Sequence, residues 1–360
     1  MWSCLRVCLC VWLCVCMYVC MWPAGWHVTP EALEAVCKDD ADRPRILVLN
    51  SPSNPTGAVL KDDALQALAA VCRKYKVLVI SDEIYGKLTY DGNYYSIARY
   101  YPEGTVVMSG ASKWLGSGGW RVGFAAFPEN LSAVRDAMLT CASETFTSVA
   151  APLQYACMEG FKPSAEIDAY LDASVRCLRF LNPAVTGTLR EAGVKVHDAD
   201  VRRGCVACCV CVAVHGCVRS VCTHLWLCAQ LHAGTGIYVE LVVTRRLGCV
   251  QGGFYIMPDF SECRRAQGYS TSPELAVDAI TNAQVAMLPG MNFGLKPERL
   301  ITRMAFVDFD GAAAIKAIAD VPADVAIDSA EARAFVDQHC PVVMDGARRL
   351  RDLMAMAPEA

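Results

Sequence analysis

Residues 45–57 read RILVLNSPSNPTG, residues 77–88 read VLVISDEIYGKL, and residues 105–123 read TVVMSGASKWLGSGGWRVG. Each stretch begins with a short apolar run and then turns polar, which is typical of a buried strand followed by a loop. Between the first two, residues 62–75 repeat apolar side chains at the spacing of one helix face. Strand, helix and strand in this order predict a mainly parallel sheet in an α/β fold.

The three apolar runs are continuous rather than alternating, so we expect parallel strands buried on both faces and sandwiched by helices. In open parallel sheets, ligands bind beyond the carboxyl ends of the strands. The polar residues that follow these strands therefore become candidate site residues. They are Asn54, Asp82, Tyr85, Ser112, Lys113 and Arg121.

Lys113 follows the third strand, where a lysine can form a Schiff base with an aldehyde cofactor if its surroundings favour the neutral amine. Each candidate also has a purely structural interpretation. Lys113 and Arg303 could be solvated surface charges, and Asp82 could cap a helix. Tyr85 could be a packing residue, and Asn54 could belong to a turn only. The functional interpretation rests on the whole set of residues rather than on any one of them.

The three stretches resemble, in order, the signature blocks of class I and II aminotransferases, which are fold type I enzymes that use pyridoxal phosphate (PLP). Two further blocks match this family: QGGFYIMPDF at residues 251–260, and AMLPGMNFG at 286–294 with ITRMAF at 301–306. The resemblance extends from about His27 to the C-terminus, outside one Cys-rich tract. It implies the PLP-dependent transferase fold with a smaller C-terminal α/β domain.

The resemblance also implies roles on the cofactor side of the site. Lys113 would bind the PLP aldehyde and then move the substrate proton as a base. Asp82 would lie against the pyridine nitrogen and keep it protonated. Asn54 and Tyr85 would form hydrogen bonds with the phenolic oxygen of the ring.

Phosphate and substrate would be held by the remaining residues. Ser112 and Arg121 would bind the cofactor phosphate, and Arg303 would bind the α-carboxylate of the substrate. Asn54 is also expected to contact the substrate. The implied activity is amino-group transfer from an amino acid to a 2-oxo acid, in a homodimer. Dicarboxylate-specific members of the family often use an arginine of the partner subunit near the stretch that residues 139–151 resemble. Residues 139–151 contain no Arg or Lys, which disfavours a strict aspartate enzyme of that type and leaves aromatic or other neutral amino acids open. The alternatives are an inactive or truncated family member, and a carbon-sulfur lyase or an aminocyclopropane-carboxylate synthase.

Most of the 21 cysteines lie in two apolar tracts, residues 1–22 and 204–248. Their low complexity leads us to interpret both as gene-model artefacts. A membrane span at residues 1–22 is a rival interpretation. For the second tract, the rival interpretation is a zinc site whose ligands would be Cys205, Cys208, Cys209, Cys211 and His215. These residues are too crowded in the sequence for such a site, so we expect no metal site.

We therefore expect a Cys-rich segment at 1–26, a partial PLP-binding domain at 27–159, and a small C-terminal domain at 160–360 interrupted by an insertion at 201–249. The family has a much longer region before its first block, so we expect the large domain to be N-terminally truncated. The net charge of -4 gives no reason to expect a nucleic-acid partner. Outside the tracts, the single scattered cysteines favour a cytoplasmic enzyme.

Overall fold

A computed structural model describes residues 15–18, 28–38, 45–196, 209–214 and 250–358, with only the backbone strands described at 15–18 and 209–214. Nine strands are present in these residues: β1 (Val15–Tyr18), β2 (Ile46–Asn50), β3 (Leu78–Asp82), β4 (Thr105–Gly110), β5 (Gly123–Ala126), β6 (Cys209–Val214), β7 (Tyr255–Ile256), β8 (Leu288–Pro289) and β9 (Thr302–Ala305).

The described α-helices are α1 (Pro30–Cys37), α2 (Asp62–Tyr75), α3 (Ser132–Thr145), α4 (Ala151–Gly160), α5 (Ala165–Arg190), α6 (Ser272–Asn282), α7 (Gly311–Ile318), α8 (Ala330–His339) and α9 (Pro341–Ala355). Helix α2 has the limits that the apolar spacing predicts. It ends where Lys76 adopts the left-handed conformation, with φ of 54°, a common way for a helix to stop.

The larger sheet has the strand order β1-β6-β2-β3-β4-β5. Its centre is parallel: Leu47 pairs with Val79, which in turn pairs with Thr105. These are the three strands predicted from the sequence, in the predicted direction. Strands β5 and β6 are antiparallel to their neighbours β4 and β2, and β1 is antiparallel to β6. The sheet is therefore mixed, with the parallel part at its core.

One face of the parallel strands β2 and β3 is fully buried beneath helices α1 and α2. Leu47, Leu49 and Val79 point to this side and form one hydrophobic cluster with Leu65 and Leu68 of α2. All five side chains are at most 1 % exposed. Burial of large aliphatic side chains stabilises a fold by about 1.5–3 kcal/mol each, so this layer fixes the strand positions at the edge where the candidate residues lie.

The opposite face of the sheet is only half-buried. Ile46, Val48, Leu78 and Ile80 point to that side, and within the described part of the chain they belong to no hydrophobic core cluster. Met108 on β4 is 39 % exposed. The continuous apolar runs predicted burial on both faces. Among the described residues, full burial is observed on the face of these strands that α1 and α2 cover.

A second hydrophobic core surrounds α5 and the three-stranded antiparallel sheet β7-β9-β8. This core reaches the loops after β3 and β4. Tyr85 and Leu88 of the first loop and Trp114 of the second belong to the same cluster as Leu181 and Phe306. The predicted domain limits, 27–159 and 160–360, stay a prediction.

The Cys-rich tracts and the rival zinc ligands lie outside the described residues, apart from the backbones of β1 and β6. The interpretation of the tracts as artefacts therefore stays a prediction. Among the helices that the structure describes, none combines the length and the apolar character needed to cross a bilayer.

Gly57 joins the turn after β2 to the segment that precedes β7. Its carbonyl oxygen accepts hydrogen bonds from the backbone N–H groups of Gln251 and Gly252, at 2.7 and 2.9 Å. Gly57 has φ of +71°, and a Cβ atom there would lie 2.5 Å from Val250 Cγ1 and 2.8 Å from the Tyr255 carbonyl oxygen. Only glycine fits this close backbone approach.

Substitution of Gly57 tests how much this close backbone approach contributes to the stability of the fold. We expect Gly57→Ala to lower the free energy of unfolding by about 3 kcal/mol, from backbone strain plus displacement of Val250 and the backbone near it. Gly92→Ala is the matched control, because Gly92 has φ of +73° and nothing within 4 Å of an added Cβ. The control should lose only about 1 kcal/mol. Equal losses in urea unfolding would show that the contact with residues 250–255 adds nothing.

Candidate functional site

The candidate site begins where the three parallel strands end. Asn50, Asp82 and Met108 are aligned in register at the carboxyl ends of β2, β3 and β4. Asn50 donates from Nδ2 to the Asp82 carbonyl at 3.0 Å, and its Oδ1 accepts from the backbone N–H of Asn54 at 2.7 Å. One side chain thus links the first turn to the second strand and fixes where Asn54 lies.

Glu83 anchors the loop after β3 from inside the protein. Its carboxylate is only 2 % exposed and accepts hydrogen bonds from Ser81 Oγ at 2.8 Å, Ser96 Oγ at 2.6 Å and Tyr94 Oη at 2.5 Å. Its backbone N–H donates to the Met108 carbonyl at 2.8 Å. A buried carboxylate needs such donors, and these bonds hold the start of the Asp82 to Tyr85 loop.

Asp82 lies beside Glu83 but has far fewer donors. Its Oδ1 accepts from the backbone N–H of Ile84 at 3.2 Å. Burial raises the pKa of the Asp82 carboxyl above its usual 3.8, and the hydrogen bond from Ile84 opposes this rise only in part. Among the described residues Asp82 has no cationic partner and only this one donor, and a partly buried carboxylate in such surroundings is poised to bind a positively charged group.

Tyr85 is buried in the same place, at 3 % exposure. Its ring meets those of Phe254 and Tyr255 edge to face, with centroids 5.5 and 6.0 Å apart. The pKa of the Tyr85 phenol is held well above its ordinary value, mainly by burial and to a smaller extent by the Tyr255 hydroxyl and the Asp82 carboxylate. The charge of Arg303 lowers this pKa, but by less. Tyr85 therefore keeps its proton and can donate it in a hydrogen bond.

Lys113 projects into this group from the loop after β4. Its Nζ lies 5.7 Å from the ring centroid of Tyr85 and 5.7 Å from that of Phe254. The side chain is half-buried. Among the described residues, no carboxylate forms an ion pair with it, so the amine faces aromatic rings rather than a fixed anion.

Arg303 reaches the site from β9, in the second sheet. Its Nη1 donates to Asn54 Oδ1 at 3.0 Å, across 249 positions of sequence. Its guanidinium carbon lies 4.4 Å from the ring centroid of Tyr255 and 5.2 Å from that of Phe293. A guanidinium held in this way can still engage a carboxylate with its remaining N–H donors.

Five of the seven predicted residues therefore come together: Asn54, Asp82, Tyr85, Lys113 and Arg303. Arg121 does not join them by any contact between described residues. It is exposed, has φ of 55°, and donates from Nη1 to the carbonyl of Gly118 in its own loop at 3.0 Å. Ser112 is half-buried next to Lys113, and its side chain makes no hydrogen bond within the described residues.

Three aromatic residues that the sequence interpretation left without a role lie in this cluster: Phe254, Tyr255 and Phe293. The available signal was their place in the quoted blocks, since Phe254 and Tyr255 follow Gly252 and Gly253 directly. Gly253 has φ of +66°, and an added Cβ there would lie 3.7 Å from Tyr85, so the turn brings both aromatic residues against the loop after β3.

The donor set of the cluster fits a pyridine ring that carries an aldehyde and a phenolic oxygen. It offers an amine for the aldehyde, a buried carboxylate for the ring nitrogen, and a protonated phenol and an amide for the phenolic oxygen. No group of side chains in the described ranges has the composition of a metal site.

The family model for class I and II aminotransferases matches residues 13–308. The aspartate aminotransferase of Geobacillus stearothermophilus is 29% identical over 274 residues, which is 74% of this chain and 54% of the relative. The aspartate/prephenate aminotransferase of Thermus thermophilus is 33% identical over 162 residues, 45% of this chain and 41% of the relative. The chain thus spans about half the length of the curated relatives it matches.

Solved structures of aminotransferases share the fold. An aspartate aminotransferase from Thermus thermophilus with maleate aligns with a TM-score of 0.57 at 23% identity, over 83% of this chain and 61% of its own. An aromatic aminotransferase from Pyrococcus horikoshii aligns with a TM-score of 0.55 at 22% identity, over 86% and 59%. The family match covers well over half of the sequence, and this chain belongs to the class I and II aminotransferases.

Proposed function

We propose that this chain carries the site of a PLP-dependent aminotransferase, which transfers an amino group from an amino acid to a 2-oxo acid. One observation supports this most: the amine of Lys113, the buried carboxylate of Asp82 and the guanidinium of Arg303 meet around the Tyr85 ring, although three separate strands or loops supply them. Each of the three has a distinct task in this chemistry.

Bound PLP would supply an aldehyde that takes up the amino group and a ring that withdraws electrons from the reacting carbon. Lys113 would hold the aldehyde, and Asn54 and Tyr85 would donate to the phenolic oxygen. Ser112 and Arg121 would bind the phosphate, which requires Arg121 to exchange the Gly118 carbonyl for an anion. An exposed arginine makes such an exchange at little cost.

Asp82 would hold a proton at the pyridine nitrogen. Its burial raises the pKa of its own carboxyl, because an ionised carboxylate there has lost hydration without gaining a positive partner. A protonated pyridine nitrogen would be that partner. The Asp82 carboxylate would be stabilised by this charge and would in turn favour the protonated form of the nitrogen.

Lys113 would also carry the proton at the reacting carbon. Its Nζ lies 5.7 Å from the ring centroids of both Tyr85 and Phe254. Among the described residues no ion pair holds this amine in place, so it would be able to act as the base that moves the proton at the substrate Cα.

Arg303 would bind the α-carboxylate of the substrate, with Asn54 fixing one edge of its guanidinium. Residues 139–151 hold no Lys or Arg, which supports amino acids with uncharged side chains as substrates. Two relatives are named aspartate and aspartate/prephenate aminotransferases. Activity with aspartate should therefore be measured beside activity with an aromatic amino acid.

A second copy of this chain is the proposed partner. Helices α3 and α4 expose a group of large apolar side chains, with Leu139 at 61 %, Phe146 at 65 % and Tyr155 at 70 %. Exposed apolar surface of this kind marks interaction sites. The proposed compartment is the cytoplasm, which the seven free cysteines among the described residues support.

The visible absorbance of the chain after addition of PLP tests the proposed role of Lys113. We expect a band that free protein lacks, that amino acids bleach, and that Lys113→Ala removes because no amine is left to hold the aldehyde. Lys87→Ala is the control, since the Lys87 amine also lies near an aromatic ring, 4.4 Å from the Trp114 centroid. A band that survives in Lys113→Ala, or that disappears in both variants, would contradict the proposal.

Removal of the Asp82 charge should stabilise the chain without cofactor. Because burial raises the pKa of this carboxyl, the folded state binds its proton more tightly than the unfolded state does. The resulting cost to stability is absent below pH 3.8 and grows as the pH rises through the folded pKa. We therefore expect Asp82→Asn to have a larger free energy of unfolding than wild type at pH 7, with the difference shrinking towards pH 4.

Asp91→Asn is the control of opposite sign. Burial raises the pKa of Asp91, but Lys61 and Tyr95 outweigh it, so the pKa is lowered on balance. This control should be less stable than wild type at pH 7, and its deficit should fade as the pH falls. Denaturant unfolding at both pH values checks the pair. The account of Asp82 is wrong if Asp82→Asn also loses stability at pH 7.

A further inference from the structure

Tyr255 lies between the two halves of the proposed site. It belongs to β7, pairs with Ala305 of β9, and is 9 % exposed. Its ring centroid lies 4.4 Å from the Arg303 guanidinium carbon and 6.0 Å from the Tyr85 centroid. One side chain therefore contacts both the proposed carboxylate-binding group and the loop that carries Asp82.

The Arg303 guanidinium is restrained by aromatic rings rather than by an acid. Tyr255 and Phe293 lie against it at 4.4 and 5.2 Å, and its one side-chain hydrogen bond among the described residues is to Asn54, a neutral amide. Within the described residues, no carboxylate forms an ion pair with it. Its charge is therefore left for a ligand, while its geometry is fixed by stacking.

We propose that Tyr255 is a positioning residue, whose ring holds the Arg303 guanidinium in the orientation that binds a substrate carboxylate. This inference rests on the proposed function. An arginine side chain has many rotamers, and a ligand that must order it loses affinity. A ring stacked on the guanidinium orders the arginine side chain before the ligand binds. An aromatic face also leaves the positive charge of the guanidinium unneutralised.

The ring and the hydroxyl of Tyr255 have separable roles. The hydroxyl is the group that contributes to the raised pKa of Tyr85, whereas the contact with Arg303 is made through the ring. Tyr255→Phe keeps the ring and removes the hydroxyl. Tyr255→Leu and Tyr255→Met keep an apolar side chain and remove the π face.

Calorimetric binding of 2-oxoglutarate, as a carboxylate probe, tests the inference on the full chain with and without added PLP. We expect Tyr255→Leu and Tyr255→Met to weaken binding about 3- to 30-fold, the range of a partly buried cation–π contact, and Tyr255→Phe to stay within about 2-fold of wild type. In steady-state assays the KM for the amino acid should rise by a similar factor, with kcat little changed, because Lys113 and Asp82 are untouched.

Each outcome has a distinct meaning. Wild-type affinity in Tyr255→Leu, or in Tyr255→Met if the leucine variant does not fold, would overturn the positioning role. Equal weakening in Tyr255→Phe would overturn it too, because the hydroxyl and not the ring would then matter. A wild-type chain that shows no Lys113-dependent PLP band would instead contradict the proposed function, while the binding measured without PLP still decides the role of Tyr255.

Discussion

The backbone contact at Gly57 is the constraint on which the arrangement of the site depends. The carbonyl oxygen of Gly57 accepts hydrogen bonds from the backbone N–H groups of Gln251 and Gly252, and these bonds join the turn after β2 to the segment that precedes β7. Strand β7 pairs with β9, which carries Arg303. Main-chain packing therefore brings Asn54 and Arg303 within hydrogen-bond distance of each other.

A second constraint is the contrast between two adjacent carboxylates, Asp82 and Glu83. Three hydroxyl groups donate to Glu83, so its charge is satisfied inside the protein and serves the structure. Asp82 receives one backbone N–H, and burial raises the pKa of its carboxyl. Alternation along the chain sends the two side chains to opposite sides of the strand end. The Asp82 carboxylate lies near the Tyr85 phenol, whose pKa it helps to raise.

The sequence predicted much of the parallel core and of the site. Continuous apolar runs identified β2, β3 and β4, and the rule that ligands lie beyond their carboxyl ends placed Asn54, Asp82, Tyr85 and Lys113 near one another. Arg303 came from the family resemblance, since nothing local connects it to residues 249 positions earlier. Local patterns do not contain such distant pairings.

Other features could not be predicted from the sequence, again because they depend on contacts between distant segments. The antiparallel strands at both sides of the sheet, and the half-buried face that exposes Met108, depend on which segments cover which strands. The stacking of Tyr255 on Arg303 depends on the pairing of β7 with β9. Arg121 was expected with the other site residues, but its left-handed backbone turns it to the Gly118 carbonyl, a local preference that the motif does not reveal.

Covalent mapping of the cofactor site tests the central claim most directly. The chain would be treated with PLP, reduced with borohydride to fix any cofactor-lysine bond, digested, and analysed by mass spectrometry. The account predicts that the modification falls on the peptide containing Lys113, because that amine is held beside Tyr85 and Phe254. Modification spread over exposed lysines such as Lys87, with Lys113 unmodified, would contradict it.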